Sequence, residues 1–151
     1  MTFKAVTSKG SGFSGSTYFA WRLCSISSSF GMSFSSIAST GFALTAYGIG
    51  AERGYVSRED AAARTRDCLE FYWNAPQGPA VDGVSGHKGF FYHFLKNEDG
   101  TRFGKTELST VDTSLLLGGV LFAQSYFDRD DPTEAAIRDL AEKIYARVDW
   151  T

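Results

Sequence analysis

The sequence predicts an all-α domain of repeated helical hairpins, with a small β-hairpin inserted near residues 88–105. Two apolar, glycine-containing segments, 36–53 and 110–127, are each followed by a short turn and an amphipathic segment. Three helix starts are written in local capping chemistry, at Ser57, Ser109 and Asp131. Between the two hairpins lies an aromatic run, GFFYHFL, ahead of the turn Asn97-Glu98-Asp99-Gly100, which suits a strand and its return.

In order along the chain, SSIASTGFALTAYGIGAERG sets Ile37, Phe42, Leu44 and Tyr47 among small residues, a helix that packs closely on several sides. Gly54 stops it, as glycine does just past a helix end. Ser57-Arg58-Glu59-Asp60 is a capping box opening AAARTRDCLEFYWN, which ends before Pro76. Pro76, Gly78, Pro79, Gly83 and Gly86 then punctuate a loop. After the aromatic run, Ser109-Thr110-Val111-Asp112 caps TSLLLGGVLFAQSYF, apolar on nearly every face and so expected to be buried. Asp131 is the N-cap and Pro132 the first residue of a helix whose Ile137, Leu140, Ala141, Ile144 and Val148 share one side.

Each unit is expected to be a buried helix, a turn and a capped amphipathic helix ending in a tryptophan, Trp73 or Trp150. Stacked hairpins of this kind build a toroid or a solenoid. Two hairpins cannot close a toroid, and the chain stops just after Trp150, so a fragment is the expectation.

Composition narrows the function. The 151 residues carry a net charge of −2 and 43% hydrophobic residues, which gives no electrostatic case for nucleic acid or a membrane surface as partner. Gly, Ser and Thr break the apolar windows well short of a membrane span. Cys24 and Cys68 have no metal-ligand spacing, so neither a disulfide framework nor a zinc site is expected. All 17 acidic residues lie at or after Glu52, whereas residues 1–36 hold eleven serines and four glycines. Residues 1–34 are therefore expected to be a disordered or atypical N-terminus, with the domain over 35–151. No clear secretory signal is present, and localisation stays open.

The ionisable and aromatic chemistry concentrates between Gly86 and Thr113. Glu107 precedes a buried helix in an aromatic setting, where a scaffold holds loop groups for binding or catalysis. It is the leading catalytic candidate, against a plain solvated loop glutamate. Asp112 is a weaker one, since its place three residues after Ser109 is explained by capping. His87 and His93 lie six residues apart and would share a face of one extended strand. No third ligand has matching spacing, so no metal is expected. A hydrogen bond to a sugar hydroxyl is the functional reading for both, beside a satisfied structural histidine. Phe91 and Tyr92 join them as candidate substrate contacts, although core packing explains any single ring. The Asp128, Asp130, Asp131 cluster does not fit a calcium loop.

The motifs SSIASTGFALTAYGIGAERGYVSREDA, WNAPQG, GHKGFFYHFL, ELSTVDTSLLLGGVLFAQSYFD and IYARVDW resemble the glucoamylase-like (glycoamylase) domain family, nearly continuously over 35–151. That family includes endo-β-1,2-glucanases and a domain of cyclic β-1,2-glucan synthases. The resemblance implies an (α/α)6 toroid that hydrolyses or transfers β-linked glucan without a cofactor, in members often periplasmic or secreted. Glu107 matches the family's acid ahead of the STVDT motif, which makes it a candidate general acid or substrate binder. The chain departs from the family upstream, where an acid-containing helical segment is replaced by the Ser/Gly-rich stretch. The expected partner is a β-glucan oligo- or polysaccharide, with self-association through the incomplete toroid. Two other readings accompany this one: a non-catalytic glycan-binding remnant, and a helical-repeat protein-interaction module.

Overall fold

The computed structural model describes residues 33–151. The expectation for residues 1–34 falls almost wholly outside that range, as does Cys24. A short strand, β1 (Phe34–Ser36), leads into helix α1 (Ile37–Glu52), and α2 (Arg58–Asn74) follows. Four short strands come next: β2 (Gly86–His87), β3 (Phe90–Tyr92), β4 (Phe94–Lys96) and β5 (Leu108–Ser109). Helices α3 (Thr110–Tyr126) and α4 (Pro132–Ala146) complete the chain. The all-α class of helical hairpins, part of an (α/α) toroid with a small β insertion, is as expected.

The three capping signals act as read. Ser57 Oγ accepts from Asp60 N–H and Ser109 Oγ from Asp112 N–H. Asp131 Oδ1 accepts from both Thr133 N–H and Glu134 N–H. Each satisfies a donor that the first helical turn leaves without a partner.

The hairpins stack side by side. The apolar helices α1 and α3 pack on one another, and α2 packs on α4. The α1–α3 crossing depends on two glycines at the point of contact. A Cβ on Gly119 would lie 2.1 Å from Gly41 O, and one on Gly41 would lie 2.3 Å from Leu115 O. Between the layers Ile37, Leu44, Leu69, Tyr72, Phe91, Leu116, Val120, Ile137 and Ile144 form a continuous fully buried core. Burial of each large side chain contributes about 1.5–3 kcal/mol. Tyr72 donates its hydroxyl to Thr40 Oγ1 at 3.1 Å inside that core, and burial pushes the phenol well above its ordinary pKa. Cys68, buried on α2, is disulfide-bonded, which the cysteine spacing did not announce.

The β insertion is more elaborate than a hairpin. GFFYHFL does not run as one strand: it is broken at His93 into β3 and β4, which join different sheets. β3 lies between β2 and β5, all antiparallel. β4 pairs antiparallel with β1, with Ser35 opposite Leu95. The turn between β2 and β3 holds Lys88 and Gly89 at positive φ, 53° and 84°. Gly89 is pressed on the end of the chain, where a Cβ would lie 2.5 Å from Val148 Cα. Lys88 Nζ donates to Asp149 Oδ2 at 2.7 Å, so the GHKG turn and the VDW segment hold each other.

Candidate functional site

His93 stands where the two small sheets part. Its backbone N–H donates to Glu107 O at 3.0 Å, and its carbonyl accepts from Ile37 N–H, at the start of α1, at 3.2 Å. The peptide is thus fastened on both sides, and the break in the strand turns the imidazole out of the ladder. The ring lies stacked against Phe94, with centroids 3.8 Å apart.

Glu107 precedes β5 and Asp112 lies in the first turn of α3, so the single element boundary at Ser109–Thr110 presents both acids. Ser109 caps α3 and also donates its hydroxyl to Asp112 Oδ2, which ties that carboxylate to the helix start. The neighbouring Thr113 is buried and accepts the Phe91 N–H on Oγ1 at 3.0 Å, so the same turn anchors β3. The STVDT segment thereby fixes the strand before His93 and the acid opposite it.

The three side chains meet. His93 Nδ1 is 2.8 Å from Glu107 Oε1, and Nε2 is 3.6 Å from Asp112 Oδ1. Side-chain exposure falls from 65% at Glu107 through 30% at His93 to 17% at Asp112, so the series runs from solvent inward. The Glu107 carboxyl is held below its ordinary pKa, first by its own backbone N–H, then by the hydrogen bond to His93, with Arg102 adding a smaller attraction.

Sequence spacing could not find this group. The two acids are 14 and 19 residues from His93, and only the fold of the insertion brings them together. The same three residues offer ligand atoms within 4.8 Å of one another, a grouping that the spacing of His87 and His93 does not show. His87 lies on β2, beyond the Lys88-Gly89 turn, so the two histidines do not share one extended strand. Phe91 is fully buried and Tyr92 nearly so. Phe91 packs edge-to-face on Tyr72 at 5.0 Å, and Arg102 lies over the Tyr92 ring at 4.4 Å. Both rings are core and wall in this structure; neither presents an open face to a sugar.

Comparison with known proteins fits this architecture. No family model matches the chain. The exo β-1,2-glucooligosaccharide sophorohydrolase of Parabacteroides distasonis is 27% identical over 117 residues, which are 74% of this chain and 15% of that protein. A solved structure from Bacteroides uniformis, provisionally assigned as a glucoamylase, superposes with a TM-score of 0.67 at 26% identity, over 78% of this chain and 28% of its own. The endo-β-1,2-glucanase of Chitinophaga pinensis, solved with sophorotriose and glucose, gives 0.66 at 25% identity, over 78% and 27%. The chain is therefore similar to glucoamylase-like proteins and β-1,2-glucan hydrolases, as its motifs imply. It spans less than a third of the length of each. No helix among the described residues is long and apolar enough to cross a membrane.

Proposed function

We propose that this chain forms one wall of a glycoside-hydrolase site for β-1,2-glucan, with Glu107 as the carboxylate nearest the scissile bond. The observation that carries the reading is an exposed carboxylate, Glu107, held at 2.8 Å by an imidazole whose backbone is bonded to the N-terminal end of α1. Loop groups fixed by rigid helices are well placed for a ligand. The similarity to β-1,2-glucan hydrolases supports that substrate class.

Glycoside cleavage generally uses two carboxyl groups on either side of the bond. Glu107 and Asp112 do not stand in that relation, because their oxygens lie within 4.8 Å of one another beside the same imidazole, closer than the about 5–5.5 Å of a retaining pair. The second acid comes from a part of the site that this cluster does not supply. His93 and His87 remain as sugar-hydroxyl partners at the edges of the insertion, and Asp112 holds the helix start. In the chain by itself this arrangement favours glycan binding over turnover. Self-association belongs to the same proposal, since both inner helices carry exposed apolar residues.

Calorimetry with sophorotriose, with cellotriose as the β-1,4 control, tests the reading. Saturable heat with sophorotriose that is abolished by His93→Ala and absent with cellotriose supports it. No heat with sophorotriose, or equal heat with both trisaccharides, overturns it.

A further inference from the structure

We propose that Trp150 and Tyr145 form a remote subsite for the same β-1,2-glucan, an aromatic platform that holds a glucosyl unit away from Glu107. The inference rests on the glycan reading of the His93 site for its ligand. Both places lie at one end of the molecule. Arg58 ties the start of α2 to the start of α4 and to the end of α3. The opposite end therefore carries the start of α3 and the ends of α2 and α4. There Arg147 donates to the Trp73 and Tyr72 carbonyls, each at 2.8 Å, and Gly89 abuts Val148. Strand β3 runs from one place to the other. Phe90 meets Trp150 edge-to-face with centroids 5.7 Å apart, and His93 follows three residues later. At the usual rise of a strand that step is roughly 10 Å. Alternation along β3 turns Phe91 into the core against Tyr72 and leaves Phe90 on the opposite face.

Trp150 is 57% exposed and Tyr145 41%, with centroids 6.1 Å apart and ring planes at 46°. The backbone that displays Trp150 is fastened. Asp149 N–H donates to Lys88 O at 2.9 Å, and the Asp149 carboxylate accepts from Lys88 Nζ and from Thr151 N–H. A ring held in place before its ligand arrives lowers the ordering cost of binding. The other tryptophan of the repeat serves structure, since the Arg147 guanidinium lies over the Trp73 ring at 5.1 Å. The surroundings of Trp150 suit a sugar. A β-linked glucosyl ring has C–H groups on its faces and hydroxyls around its rim, so it takes a flat apolar partner with polar groups at the side. The Lys88–Asp149 pair, next to Trp150 in the chain, supplies an ammonium donor and a carboxylate acceptor. A second copy or an apolar helix seated here would have to strip water from that pair, which makes it the poorer occupant.

A ligand-length series tests the subsite. Sophoropentaose, long enough to reach both places, is titrated into the 151-residue chain as wild type, Trp150→Ala and Trp150→Phe. Sophorose is the short ligand and cellopentaose the β-1,4 control. Calorimetry reads affinity, and the Trp150 indole N–H signal, assigned through Trp150→Phe, reads contact. Two contacts linked through one ligand bind more tightly than either alone. The indole signal is expected to shift saturably with sophoropentaose. Trp150→Ala is expected to weaken sophoropentaose about tenfold, the scale of one aromatic contact, and to leave sophorose at the His93 site unchanged. Trp150→Phe should recover part of the loss. An unmoved indole signal, or unchanged sophoropentaose affinity in Trp150→Ala, overturns the subsite, and a continued response of residues 92–94 and 106–113 then leaves the glycan reading of the His93 site standing. A moving indole signal with no response at those residues refutes that reading and supports the platform. Equal response to cellopentaose, or an indole shift that follows protein concentration rather than sugar, also overturns the subsite.

Discussion

Arg58 and Glu134 form a two-pronged ion pair that ties the first turn of α2 to the first turn of α4. Arg58 Nε donates to Glu134 Oε1 at 2.7 Å and a terminal nitrogen donates to Oε2 at 2.8 Å. The glutamate side chain is 3% exposed, so the pair is a buried one at that end. The guanidinium also donates to Tyr126 O, which brings the end of α3 into the same junction. This contact joins the two amphipathic helices at their capped N-terminal turns, those of Ser57 and Asp131.

Removing one partner leaves the other charge without its match. Glu134→Gln is expected to cost on the order of 3–5 kcal/mol, as is typical when a buried pair is broken on one side. The pH dependence follows from the direction of the shift. Glu134 is held below its ordinary pKa, first by the Arg58 hydrogen bond, so its contribution is present above the unfolded value and is lost as pH falls through the folded one. Urea unfolding at neutral pH and at strongly acidic pH should show the wild type losing its advantage over Glu134→Gln only in acid.

The helix crossing at Gly41 and Gly119 makes a second prediction. Gly119→Ala would set a methyl 2.1 Å from Gly41 O, so α1 and α3 must separate. A loss of about 1–3 kcal/mol is expected, as for other overpacked contacts, despite the better helix propensity of alanine. Gly118→Ala is the internal control, because open space surrounds that position. Chemical denaturation of the two variants should separate them clearly.

The outward sides of the inner helices argue for association. Phe42 and Ile49 on α1 are 65% and 53% exposed, and Val111 on α3 is 69% exposed. Exposed apolar residues grouped along a helix mark interaction surfaces or aggregation-prone ones. The 151-residue chain is expected to sediment as a dimer or larger, and Phe42→Asp with Leu115→Asp should shift it toward monomer. A cooperative thermal transition from a strictly monomeric wild-type sample would contradict this.

The chain is also expected to release no sugar from β-1,2-glucan. Its clustered acids lie beside one imidazole, with oxygens within 4.8 Å of one another, closer than the about 5–5.5 Å or more of a pair flanking a glycosidic bond. In a protein that includes the facing wall, Glu107→Gln should lower turnover by about 10²–10⁴-fold with little change in binding. Reducing-sugar release from the 151-residue chain that disappears on Glu107→Gln would sink the half-site account.

The helical frame was legible because its signals are local. Ser57, Ser109 and Asp131 cap helices through hydrogen bonds to residues two or three positions on, so spacing alone locates each start. The outer helix α4 follows from one-sided placement of Ile137, Leu140 and Ile144. The site was legible only in part. Glu107 and Asp112 stand out as a loop acid and a cap, but their meeting at His93 depends on breaking an apparently continuous strand. That break is a tertiary effect: β4 is drawn to β1, a strand of three residues ahead of α1 with no alternating pattern to announce it. The burial of Phe91 has the same origin, since β3 is covered by Tyr72 of α2 and Thr113 of α3. An aromatic run reads equally well as sugar platform or core until its neighbours are known.

The most direct test of the central claim is a 1H–15N shift map of the chain titrated with sophorotriose. The account predicts saturable changes that are largest at residues 92–94 and 106–113, around His93, Glu107 and Asp112. Changes confined to a surface elsewhere, such as the exposed Tyr145 and Trp150 rings, or no changes at all, would contradict it.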